Sequence, residues 1–138
     1  MAEVMSPIVS ERIWALPLSG SAVKFLQYLL YRSEFGGHLP VKQREMAQEY
    51  HNKTQQAISA LIAPLCDLGI VLRPEGGERK GNSYRLHPLA AKYESHADME
   101  QAFRNALVEM KAGDLPTLKL PQYTVAPPLE GRRKLQVA

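Results

Sequence analysis

Between residues 52 and 69 the chain commits to a helix that must stop abruptly. Ile58, Leu61, Ile62 and Leu65 recur at helical spacing and make one apolar face. Gly69 stands where a helix takes a left-handed closing residue. The aliphatic run Ile70-Val-Leu-Arg73 follows at once and reads as a strand. Asn52 or Thr54 opens the helix, and Asn52 with Gln55 three residues on has capping-box spacing. A second strand, Ser83-Tyr-Arg-Leu-His87, lies beyond the charged, Gly-rich run 74–82. The helix therefore feeds a β-hairpin with a mobile tip. Ahead of it, residues 42–49 predict a short helix that turns Met46, Ala47 and Tyr50 inward, and Tyr50-His51-Asn52 is the polar turn between the two helices.

The flanks follow the same logic. Ala22, Phe25, Leu26, Leu29 and Leu30 predict a helix opened by Ser19 or Ser21 and stopped by Gly36-Gly37. His38-Leu-Pro-Val41 is a brief extended piece, because the residue before proline avoids the helical region. A last helix over 97–111, with Ser95 as its cap, presents Met99, Ala102, Phe103, Ala106, Leu107 and Met110 on one stripe, and Gly113 closes it. Beyond it, Pro116, Pro121, Pro127 and Pro128 forbid regular helix. The Pro-bounded run 7–17 is a short strand or an arm packed on the domain, and Trp14 in it is expected to be buried. The chain thus divides into an N-terminal arm (1–18), a central domain (19–93), a C-terminal helix (94–113) and a Pro-rich basic tail (114–138). The fold class expected is α+β and mostly helical.

Composition narrows the class of function. With 138 residues, 45% of them hydrophobic and 22% charged, one ordinary soluble domain can bury a core without metal or disulfides. The single cysteine, Cys66, excludes an internal disulfide framework and makes a reduced cytoplasm the default. No apolar run is long enough to span a membrane, and the N-terminus lacks a signal-peptide pattern. Seventeen Lys and Arg against 14 Asp and Glu give a net charge of +3, which permits a polyanionic partner without demanding one.

The order helix, extended piece, short helix, turn, helix, hairpin is that of a helix-turn-helix followed by a wing. Such a pair holds its second helix out from the body so that its free face can enter a major groove. With Ile58, Leu61, Ile62 and Leu65 inward, Gln56, Ala60 and Ala63 fall opposite, flanked by Ser59, Lys53 and Asn52, while Thr54 points inward as a cap or packing residue. Gln can pair with an adenine edge, Ser with several edges, and Ala can touch a thymine methyl. Lys53 and the helix start can hold phosphate. No carboxylate occurs from Tyr50 through Cys66. The bland alternative is an ordinary solvated helix; the wing tips the balance toward DNA. The candidate DNA contacts are Asn52, Lys53, Gln55, Gln56, Ser59 and Ala60 on the helix and Arg79 and Lys80 at the wing tip.

The run 19–88 resembles the winged-helix domains of MarR-type bacterial regulators and of related plasmid replication proteins. Glu45-Met-Ala47, Thr54-Gln-Gln-Ala-Ile58 and the exit Leu65-Cys-Asp-Leu-Gly-Ile-Val71 carry the likeness, and Ser83-Tyr-Arg-Leu-His-Pro88 is similar to the return strand of the plasmid-type subgroup. The resemblance implies a winged helix-turn-helix that binds double-stranded DNA as a homodimer paired by terminal helices. It makes Met99, Phe103, Leu107 and Met110 the candidate dimer residues. Three departures stand out: a turn one residue longer than usual, Pro64 inside the recognition helix, where it should kink it, and Lys42 at a cap position it fills poorly.

Other candidates give way to plainer readings. His38, His51, His87 and His96 lack metal-ligand spacing, so no metal or cofactor is expected. Cys66 reads as a structural thiol, and Gly76, Gly77 and Gly81 as a flexible wing tip rather than a phosphate cradle. Arg132-Arg-Lys134 is a solvated end or, less simply, an electrostatic arm. No nucleophile–base pair and no supported carboxylate dyad occurs, so the chain is not expected to be an enzyme. Three functions fit: a dimeric, sequence-specific transcriptional regulator of bacterial or mobile-element type, cytoplasmic and nucleoid-associated; a plasmid or phage origin-binding protein; and a winged helix that binds protein.

Overall fold

The computed structural model describes residues 3–74 and 83–119. Their elements run β1 (Val4–Met5), α1 (Pro7–Ser10), a 3-10 turn (Ile13–Ala15), α2 (Gly20–Arg32), α3 (Gln43–Glu49) and α4 (Gln55–Leu68). Then come β2 (Val71–Leu72), β3 (Arg85–Leu86), a second 3-10 turn (Pro88–Ala90), β4 (Lys92–Tyr93) and α5 (His96–Ala112). The class is α+β, with helix predominant.

The helices form where apolar periodicity and caps agree. The Ser19 hydroxyl accepts the Ala22 N–H at 3.2 Å, and Ala22, Phe25, Leu26, Leu29 and Leu30 of α2 are all buried. They share one core with Met46 and Ala47 of α3 and Ile58, Ile62 and Leu65 of α4. Each large side chain buried there is worth about 1.5–3 kcal/mol against water. The poor cap expected at Lys42 is made good by its neighbour: the Glu45 carboxylate accepts the Lys42 N–H at 3.1 Å. Helix α4 runs unbroken past Pro64 and closes on Gly69, whose φ of 84° is left-handed.

Strands β2 and β3 pair antiparallel, Val71 opposite Leu86 and Leu72 opposite Arg85, shorter than the runs 70–73 and 83–87 expected. The extended piece before α3 joins them. His38 bridges Arg85, the Leu39 N–H donates to Tyr84 O at 3.1 Å, and the Leu86 N–H donates to Gly37 O at 2.8 Å. Gly37 is obligatory at this junction: its φ is 107°, and a Cβ there would lie 2.6 Å from Leu86 O.

The N-terminal arm packs on the body through a second small sheet, β1 against β4, with Val4 opposite Tyr93 and Met5 opposite Lys92. The Lys92 ammonium is largely buried and donates to Glu3 Oε1 at 3.3 Å and to Tyr31 O at 3.4 Å, tying the arm to the end of α2. The expectation for Trp14 fails. It is 79% exposed, on a one-turn segment that gives its anchoring to Ile13 and Leu16 instead. Its indole N–H is satisfied locally by Glu11 O at 2.8 Å, so nothing polar forces the ring inward.

Ser95 caps α5 by accepting the Asp98 N–H at 3.1 Å, and Gly113 closes it with φ 81°. The chain then folds back. Leu115 and Leu118 are buried, and the Lys119 N–H donates to Leu68 O at 3.0 Å, an otherwise orphan carbonyl at the end of α4. Residues 120–138 of the expected tail, including Arg132-Arg-Lys134, lie outside the described residues. No helix of the described residues is long and apolar enough to cross a membrane.

Candidate nucleic-acid interface

Helix α4 is built with one face committed and one face free. Ile58, Ile62 and Leu65 are buried, whereas Asn52, Lys53, Gln55, Gln56, Ser59 and Ala60 are all exposed and Ala63 is half-buried. The split follows the helical period. Thr54 is exposed rather than inward-facing, and it is the cap: its hydroxyl accepts the Ala57 N–H at 3.1 Å. A threonine in this role is worth about 0.5–2 kcal/mol to the helix. Asn52, the alternative cap, belongs to the turn.

That turn is held against considerable local resistance. His51 and Asn52 both have positive φ, 56° and 48°, a conformation costing of order 1–3 kcal/mol for each residue. The surroundings fix it. Tyr50 is buried and meets Phe25 edge-on at 4.9 Å and Tyr28 at 5.2 Å, and the His51 ring stands edge-on to Tyr50 at 4.8 Å. The Lys53 N–H donates to Ala47 O at 2.7 Å. Just before the turn, Glu49 Oε1 accepts from the Tyr28 hydroxyl at 2.6 Å and pairs with Arg32 Nε at 2.8 Å. Burial first, and the Glu49 carboxylate second, push the Tyr28 phenol well above its ordinary range, so it stays a donor. Helix α2 thereby clamps the turn that launches α4.

A second tie sets the hairpin against α4. The Gln43 carboxamide donates from Nε2 to Gln55 O at 3.1 Å and accepts from the Tyr84 hydroxyl at 3.4 Å. One side chain at the start of α3 thus touches the first residue of α4 and the approach to β3. Sequence reasoning passed over Gln43, because a polar residue beside a helix start carries no periodic signal. It also passed over Lys24, whose place beside the turn depends on how α2 crosses α4.

Arg79 and Lys80, the wing-tip candidates, lie outside the described residues. At the hairpin base Arg73 and Arg85 are exposed. On α5, Met99, expected at a dimer seam, is only 2% exposed and belongs to the chain's own core. Phe103, Leu107 and Met110 are half-buried, and Val108 beside them is 68% exposed. Of the four residues expected at a dimer seam, Phe103, Leu107 and Met110 thus keep part of their surface uncovered.

Cys66 is half-buried, and burial pushes its thiol up despite the opposing charge of Arg73, which suits a structural thiol. Among the described residues no group of three His, Cys, Asp or Glu could hold a metal ion. Comparison of the chain with family models, curated proteins and solved structures finds no match.

Proposed function

We propose that this chain is a winged helix-turn-helix protein of the kind its sequence resembles, that α4 is its recognition helix and the β2–β3 hairpin its wing. In this reading it binds double-stranded DNA sequence-specifically, as a homodimer paired through α5, and regulates transcription. The observation that carries the reading is the free face of α4. It is exposed, polar and small, follows a rigidly anchored turn, and lies in a stretch with no carboxylate from Tyr50 through Cys66. A helix presented in this way can bring Gln56, Ser59 and Ala60 to base edges while Lys53 meets the backbone. The extended piece before α3, bridged to β3 through His38 and Arg85, and the clamps at Glu49 and Gln43 support it, since recognition needs helix and wing in fixed relation.

Gln56→Ala tests it, on a duplex selected from a random pool with the wild-type chain. The specific affinity should fall by about 1–3 kcal/mol while binding to unrelated duplex stays the same. Equal affinity of the two proteins for the selected site would remove Gln56 from base recognition.

A further inference from the structure

An open depression of about 510 Å³ lies where α2 meets the α3–α4 turn. Its rim carries Ser21 and Lys24 from α2 and His51 and Lys53 from the turn, and Ala57 and Leu61 of α4 give it an apolar side. Every formal charge lining it is positive. Lys24 and Lys53 are exposed, and among the described residues neither forms an ion pair. The acid nearest in sequence, Glu49, is taken up by Tyr28 and Arg32 and does not line the depression. Uncompensated cations over an apolar wall suit a ligand that is anionic at one end and carbon-rich at the other. A sugar-phosphate unit has that character: the phosphate meets ammonium groups and a hydroxyl, and the sugar carbons lie on alanine and leucine. Ala60 lines this depression and lies on the free face of α4, so a backbone passing Lys53 through the depression continues along the proposed groove contact.

We propose that the depression is a phosphate subsite that takes one backbone unit of the bound duplex, with Lys24 as the anchor contributed by α2. The proposal rests on the DNA reading of α4 and adds to it a contact from a different helix. It requires Lys24 to act on all duplexes alike, because backbone carries no sequence information.

The test is the salt dependence of duplex binding by full-length wild type, Lys24→Ala and Lys24→Arg. Lys24 is exposed, so folding is not at stake. Lys24→Ala should weaken selected and random duplex by the same factor and reduce the log–log salt slope by about one unit, and Lys24→Arg should restore both. An unchanged slope in Lys24→Ala, with wild type still binding duplex, overturns the subsite and leaves the α4 reading intact. A wild-type chain that binds no duplex overturns the reading beneath it, and the subsite with it. Inorganic phosphate is the control ligand. If it shifts the His51 ring protons while the Lys24→Ala slope stays at the wild-type value, the depression holds a free anion and the backbone assignment is wrong.

Discussion

His87 is fully buried and uses both ring nitrogens. Nδ1 accepts the Leu89 N–H at 3.1 Å, so it carries no proton; Nε2 lies 2.7 Å from Pro116 O and donates to it. The ring is thus a neutral imidazole that pins the returning segment 115–119 beside the exit from the hairpin. Burial holds its pKa below the ordinary 6.5; the Pro116 hydrogen bond opposes this and the Arg85 charge adds to it. The sign follows by linkage. Below pH 6.5 the unfolded chain takes up a proton that the folded chain resists, so stability is full above 6.5 and is lost as pH falls through the folded value. Urea unfolding between pH 7.5 and 5 should show this loss, at no more than about 1.4 kcal/mol per pH unit for one group. His87→Gln keeps a donor and an acceptor without a proton to gain, and should flatten that part of the profile. A His87→Gln protein with the wild-type pH profile would assign the dependence elsewhere.

At the scale of elements, α5 buries only part of its apolar stripe against the rest of the chain. Met99 and Ala106 are buried, while Phe103, Leu107 and Met110 remain half-covered. If that remainder is a dimer seam, light scattering should give twice the chain mass for wild type and the single mass for Leu107→Glu, a charge placed mid-stripe. A monomeric wild type at concentrations well above those used for DNA binding would remove the preassembled dimer. The long helices were legible in the sequence because their signals are local. Ala22 through Leu30 and Ile58 through Leu65 fall into register on one face each, and Ser19, Thr54, Ser95, Gly69 and Gly113 mark their ends. The sheets were less so. Pairing of β1 with β4, and of His38 with Arg85, joins residues far apart in the chain, through two residues on each side in the first and a single bridge in the second. Such short segments show no alternation to read. The free face of α4 could be assigned from the helical wheel. The side chains that orient it, Glu49 with Tyr28 and Arg32, and Gln43 with Gln55 and Tyr84, depend on how the helices cross and left no trace in the pattern.

Across the whole molecule the net charge of +3 is modest, and its placement matters more than its size. Acidic side chains close to the proposed interface are engaged elsewhere: Glu49 with Tyr28 and Arg32, and Glu45 with the start of α3. Lys24 and Lys53 are left facing solvent beside a helix that carries no carboxylate before Asp67. A protein so arranged should bind duplex DNA by releasing counterions. A winged helix turned to a protein partner has no need of that. The decisive measurement is the affinity of wild-type protein for a duplex, by fluorescence anisotropy, as salt is raised from low to physiological concentration. The account predicts a linear fall of log K with log salt, at a slope of about −2 or steeper, since Lys24 and Lys53 each neutralise one phosphate at about −0.9 per contact. No duplex binding at low salt, or binding whose strength does not change with salt, would contradict it.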